Sequence, residues 1–131
     1  MIIRLDTMST TPIYVQLRNQ IVMGIGRGDL KIGEGLPTVR QMAEDIGINT
    51  MTVNKTYAIL KQEGYIEIDR RHGAQVSPSV DLSGQFREKV ESELMLLISE
   101  SSLKGLSRDD FMELCAEIYT KVNLSYAGGT P

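Results

Sequence analysis

Apolar residues recur at helical spacing in five stretches of the chain, separated by glycine, proline or short polar turns. Tyr14, Leu17, Ile21 and Ile25 make the first stripe. Gly24, Gly26 and Gly28 weaken it, so this helix ends near Arg27. Thr11 is placed to cap it, with Pro12 in the first position, where the missing N–H costs nothing. Its expected place is across the two helices that follow. Val39, Met42, Ala43 and Ile46 form the second stripe. Pro37 stops what precedes it, Thr38 caps it, and Gln41 three residues on completes a capping box. Gly47 takes the turn, Ile48 plugs the core inside it, and Asn49 caps a third helix. The inward stripe of that helix is Val53, Tyr57 and Leu60, and Gly64 ends it.

Outside these helices the periodicity shortens. Ile2 to Asp6 alternates weakly and predicts a short edge strand. Leu30, Ile32 and Leu36 cover the core along a loop in which Gly33 and Gly35 supply turns. Tyr65, Ile66 and Ile68, the turn Asp69-Arg70-Arg71-His72-Gly73, and the run Ala74 to Ser77 predict a β-hairpin. Pro78 marks a boundary. Leu82 to Lys104 reads as one long helix with Phe86, Val90, Leu94 and Leu97 on one stripe, widened by Met95, Leu96 and Ile98. Gly105 ends it. Ser107 caps the last helix, Asp109 and Asp110 suit its positive end, and Phe111, Leu114, Cys115, Ile118 and Val122 are its stripe. Ser125 to Pro131 should fray. The expected domains are residues 1–77 and 78–131.

The centre of this pattern is the stretch from Leu36 to Gly64, two helices joined by a tight turn. Ala43 sits where they cross, and a larger side chain would push them apart. The second helix begins with Thr50, Met51, Thr52, Asn54 and Lys55 facing outward. Hydroxyls, an amide and an ammonium suit base edges and phosphates, and the Met51 and threonine methyl groups suit thymine methyls. This is the pattern of a helix-turn-helix whose second helix enters a DNA groove. The hairpin after it places Arg70, Arg71 and His72 at one tip, within reach of phosphates or a minor groove; a solubilising turn is the plainer alternative. Arg40, one turn into the first of the two helices, can contact DNA or pair with Glu44 on its own helix.

Charge changes the picture little. Net charge is −3; residues 1–77 carry +1 and residues 78–131 carry −4. Binding to nucleic acid must therefore rest on local placement of cations, and the acidic tail half is not expected to touch DNA. Cys115 is the only cysteine, so no intramolecular disulfide forms, consistent with a cytoplasmic protein. The longest apolar run, Leu94 to Ile98, is too short to span a bilayer, and the first residues lack signal-peptide architecture. His72, the sole histidine, has no ligand set at metal spacing. No nucleophile–base pair and no phosphate-cradling loop is present. The expectation is a protein that is not an enzyme, with no catalytic residue, cofactor or metal.

The ordered motifs Pro12-Ile13-Tyr14, Gly28-Asp29-Leu30, Leu36-Pro37-Thr38-Val39-Arg40, Ala43, Gly47-Ile48-Asn49, Thr52-Val53, Lys55, Tyr57, Leu60 and Glu63-Gly64-Tyr65-Ile66 resemble the winged helix-turn-helix domain of the GntR family of bacterial transcription regulators. The resemblance covers residues 12 to 77. It implies a fold that is α+β but mostly α: a winged helix-turn-helix domain followed by a two-helix antiparallel dimerisation unit. The short tail resembles the YtrA-type subfamily, which implies a dimeric repressor. Carried over, the DNA-contacting positions are Arg40, Thr50, Met51, Thr52, Asn54 and the wing around Arg71 to Gly73; Thr38, Lys55, Arg70 and His72 complete the candidate DNA-binding set. Many members carry arginine where Thr50 and Asn54 stand here. Those arginines read guanine, so this chain implies a different operator, richer in A·T, with Asn54 on adenine. The hairpin also departs, with Arg71 where glycine is usual and Ala74-Gln75 where threonine and an aromatic are common.

The two tail helices cannot bury their apolar surface alone. The simplest partner is a second copy, giving a four-helix dimerisation unit built on Phe86, Val90, Leu94, Leu97, Ile98, Phe111, Leu114 and Ile118; the alternative is packing back on the winged domain. The expected function is a sequence-specific DNA-binding regulator, a homodimeric repressor on a two-fold symmetric operator. The alternative is a winged-helix protein-interaction module. The sequence names no small-molecule effector.

Overall fold

The computed structural model describes residues 2–129. Its elements are α1 (Ile13–Arg27), α2 (Val39–Ile46), α3 (Thr50–Gln62), β1 (Ile66–Asp69), β2 (Gly73–Val76), α4 (Gln85–Leu103) and α5 (Arg108–Tyr119). The chain divides into two compact units, Met1–Ser79 with Asn123–Pro131, and Val80–Val122. The expected division after residue 77 is therefore corrected at both ends: the first unit runs on through Ser79, and the chain returns to it at Asn123.

In the first unit α3 is the central helix, packed by both α1 and α2. Helix α1 lies mainly against α3 and shares one core with residues of both α2 and α3. Leu17, Ile21 and Ile25 from α1 meet Met42 and Ala43 from α2, Val53, Tyr57 and Leu60 from α3, and Ile66, Ala74 and Val76 from the hairpin. Leu17, Ile21, Val53, Leu60 and Val76 are wholly removed from water, each burial being worth roughly 1.5–3 kcal/mol. Arg18 on α1 forms an ion pair with Glu63 at 2.9 Å and lies over the Tyr65 ring, 5.4 Å from its centre. This joins the middle of α1 to the exit of α3.

Strands β1 and β2 pair antiparallel, Ile66 opposite Val76 and Asp69 opposite Gly73. The loop before α2 braces the other edge of β2. The Leu36 N–H donates to the Ala74 carbonyl at 2.8 Å, and the Val76 N–H donates to the Glu34 carbonyl at 2.8 Å. Gly35 bridges Gln75 within this pairing, so it is a strand-like position and not the turn expected of it. Gly33, at φ 90°, does turn the chain.

Three local expectations fail. Ile2 to Asp6 is not a strand. Its alternation is real, since Ile3 and Leu5 pack against the core, but the backbone pairs with glutamine side chains of α1. The Arg4 and Asp6 N–H groups donate to Gln20 and Gln16, each at 2.8 Å, and both amides donate back to the carbonyls of the same two residues. Thr11 does not cap α1. Pro12 is the N-cap and no side chain fills that role; the Thr11 carbonyl instead accepts from Gln16. Gln41 completes only half of the capping box. Thr38 Oγ1 accepts from the Gln41 N–H at 3.0 Å, while the Gln41 amide donates to Asp45 at 2.6 Å.

The C-terminal segment is a further correction. Within the described residues it does not fray; Thr130 and Pro131 lie outside them. The Asn123 N–H donates to the Gly26 carbonyl at 2.7 Å, Ile32 donates to the Ser125 carbonyl at 2.7 Å, and Ala127 donates to the Ile32 carbonyl at 2.8 Å. Gly28, at φ 84°, ends α1 beneath this strap, and a Cβ there would run into the Asn123 carbonyl.

In the second unit α4 starts at Gln85 and ends at Leu103, inside the expected 82–104. Ser107 caps α5 by accepting from the Asp110 N–H at 3.1 Å. Val122 falls beyond the end of α5. Neither helix holds a buried residue.

Candidate nucleic-acid interface

The turn between α2 and α3 is built from backbone geometry. Gly47 adopts φ 71° and ψ 37°, and its N–H donates to the Ala43 carbonyl. The Ile48 N–H donates to the same carbonyl at 3.1 Å, so the chain reverses without an orphaned donor. Asn49 Oδ1 then accepts from the Met51 N–H at 2.7 Å and starts α3. The Tyr57 hydroxyl donates to the Pro37 carbonyl at 2.8 Å, fixing α3 to the entry of α2. Burial pushes the Tyr57 hydroxyl up to about 12, so it holds this bond as a neutral donor.

With Val53, Thr56, Tyr57 and Leu60 buried, the opposite face of α3 is decided by the 3.6-residue period. Thr50, Met51, Asn54 and Lys55 are exposed there, and Thr52 is half-buried. Met51 is 78% exposed, a large apolar side chain held out in water at the start of a helix. Thr38 and Arg40 are exposed at the start of α2. Thr38 uses its oxygen as a cap acceptor and keeps its hydroxyl hydrogen to donate.

At the hairpin tip Asp69 organises the turn. Its Oδ1 accepts from the N–H groups of Arg71 at 2.8 Å and His72 at 2.6 Å, and its Oδ2 lies 3.3 Å from His72 Nδ1. The His72 backbone N–H, with the His72 ring and the Arg71 N–H, holds the Asp69 carboxyl below its ordinary range. Gly73 follows at φ 65° and opens β2. The tip thus carries one acid that the sequence reading left out of the balance, and that acid is engaged with His72. Arg70 and Arg71 form no ion pair among the described residues.

Arg40 lies 3.8 Å from Glu44 on the same helix, both side chains well exposed; such a pair is worth only about 0.3–0.5 kcal/mol. Among the described residues Lys55 has no carboxylate partner. Its ammonium sits 3.8 Å from the centre of the Tyr14 ring. Thr56, wholly buried, shares its single hydroxyl hydrogen between the Tyr14 and Thr52 carbonyls. Sequence reading placed Tyr14 in an apolar stripe and overlooked Thr56, because neither contact has a local signature.

The surface therefore offers hydroxyls, one amide, a thioether and cations with little competing acid. Among the described residues no group of three or more His, Cys, Asp or Glu side chains could hold a metal ion. No helix among them is long and apolar enough to cross a membrane. Phe86, Val90, Leu94, Leu97, Ile98, Leu114 and Ile118 are exposed on the other unit, with Phe111 half-buried.

Comparison with known proteins agrees with this geometry. The profile of bacterial regulatory proteins of the gntR family matches residues 13–76. The HTH-type transcriptional repressor YtrA of Bacillus subtilis is 32% identical over 123 residues, covering 92% of this chain and 94% of that one. Among solved structures, YtrA from Sulfolobus acidocaldarius, a GntR-family transcription factor, is 33% identical, with 92% and 99% coverage and a TM-score of 0.56. A transcriptional antiterminator from Listeria monocytogenes EGD-e shares the fold at 23% identity, with 98% coverage of both chains and a TM-score of 0.83. The chain belongs to the GntR family of bacterial regulatory proteins, as a DNA-binding transcription regulator of the YtrA type.

Proposed function

We propose that the protein is a cytoplasmic homodimeric repressor whose two α3 helices read successive major grooves of a two-fold symmetric operator, with half-sites about one helical turn (~34 Å) apart. The carrying observation is the division of α3. One face is wholly buried and holds the helix rigid, while Thr50, Met51, Asn54 and Lys55 stand in water on the other. Asn54 is the base reader, its amide matched to adenine N6 and N7. Met51, Thr50 and Thr52 offer methyl groups to thymine. Arg40, Lys55, Arg70 and Arg71 take phosphates, His72 and Gly73 bring the wing backbone close, and Thr38 donates its hydroxyl. The reading involves no catalytic step, cofactor or metal. B. subtilis YtrA, described as a repressor, supports the sign of regulation.

Dimerisation is supported by α4 and α5, which hold no buried residue although Phe86, Leu94, Leu97, Leu114 and Ile118 line them. So large an apolar surface marks an interface, and a second copy offers the same surface in return. Selection of bound duplexes from a random pool tests the whole reading. The expected product is an A·T-rich inverted repeat with fixed spacing. Recovery of unrelated sequences, or of single unpaired half-sites, would overturn it.

A further inference from the structure

Lys55 is the one candidate DNA contact on α3 whose charge is positioned by another element. Its ammonium lies 3.8 Å from the Tyr14 ring centre, with no carboxylate in ion-pair range among the described residues. Tyr14 is itself held. Its carbonyl accepts from Thr56 Oγ1 at 3.2 Å, and Thr56 is wholly buried. Two successive residues of α3 thus grip one residue of α1, one through the ring and one through the backbone. A lysine free in water samples many rotamers and loses that freedom on meeting a phosphate. A lysine resting on a ring held by buried structure has already lost part of it, and the ring does not neutralise the charge as a carboxylate would.

We propose that Tyr14 is a positioning residue for DNA binding: it aims the Lys55 ammonium at a backbone phosphate without touching DNA itself. The proposal rests on the DNA-binding reading above. Its chemistry is sequence-independent, so its effect falls equally on specific and random duplexes.

The test is a double-mutant cycle of full-length Tyr14→Leu and Lys55→Gln, with Tyr14→Phe as the conservative control, measured as duplex affinity across a salt series. Lys55→Gln should lower the slope of log affinity against log salt by about 0.9, one phosphate contact. Tyr14→Leu should weaken specific and random duplexes alike, by about two- to fivefold, and Tyr14→Phe should restore the affinity. In the Lys55→Gln background Tyr14→Leu should change nothing further, a non-additivity that general loosening of α1 would not produce. An unchanged slope for Lys55→Gln, a Tyr14→Leu loss that persists without Lys55, or failure of phenylalanine to rescue would each overturn the proposal while leaving the regulator reading intact. Failure of the unaltered chain to bind any duplex would overturn both.

Discussion

The two units solve the same problem in different ways. The winged unit gathers three helices and a hairpin round one core, in which Leu17, Ile21, Val53, Leu60 and Val76 are lost to solvent entirely. The helical unit has stripes just as apolar, yet α4 and α5 bury no residue. Secondary structure is equally regular in both, and both α2 and α5 begin with a hydroxyl cap. The difference is closure. An amphipathic helix becomes a domain only when a second surface covers its apolar side, and in this chain α3 provides that surface for α1 and α2. The comparison teaches that helix quality and core formation are separate properties. The tail helices are well made and lack a partner within their own unit.

The most severe way to break the comparison is to open a cavity in one unit and repeat the change in the other. Leu60→Ala should destabilise the winged unit by about 2–5 kcal/mol. Leu94→Ala, at a side chain 40% exposed, should leave unfolding of the dilute protein nearly unchanged and lower the concentration dependence of assembly. Urea unfolding at several protein concentrations reads both. Equal losses at high dilution would mean that α4 is closed within its own chain.

A second test separates backbone conformation from tertiary docking. Gly47 and Gly28 both end a helix at positive φ, but nothing lies near a Cβ at Gly47, whereas the Asn123 carbonyl blocks one at Gly28. Gly47→Ala should lower stability by about 1–2 kcal/mol, the ordinary penalty for a left-handed residue. Gly28→Ala should exceed this, because the strap from Asn123 must also shift. In a chain ending at Val122 the two losses should become equal, as thermal melting would show. If they stay apart, the strap does not explain Gly28.

Alkaline pH distinguishes the units without mutation. Tyr57 ionises near 10 when unfolded and is pushed up to about 12 by burial. A raised folded value contributes stability that is complete below pH 10 and lost as pH climbs toward 12. Unfolding of the winged unit should show this fall, and Tyr57→Phe should abolish it at the expense of the bond to Pro37.

The smallest effect belongs to the wing tip. The Asp69 carboxyl is held below its ordinary range by the N–H of His72 first. A lowered folded value contributes order that is present above the normal Asp range and lost only as pH falls below it. Amide exchange at Arg71 and His72 should therefore stay slow through the usual Asp titration, and Asp69→Ala should speed it wherever the Asp69 carboxyl is ionised. Exchange that accelerates at the ordinary Asp range in the unaltered chain would remove Asp69 as organiser of the turn.

By itself the sequence determined what depends on near neighbours. Thr38, Asn49 and Ser107 cap the helices expected of them, Gly47 takes the left-handed turn, and the outward set from Thr50 to Lys55 follows once Val53, Tyr57 and Leu60 face inward. A cap, a positive φ and a helical period are all settled within a few residues, so they are written locally. Only the tertiary structure decided that Gln16 and Gln20 would hold residues 4–6, that the loop at Glu34 would brace β2, that the chain end would return to Ile32, and that Lys55 would rest on Tyr14. These are backbone pairings, amide-to-backbone bonds and a ring contact between distant segments. Any residue can supply a backbone N–H or carbonyl, so no side-chain pattern announces them until folding brings the segments together.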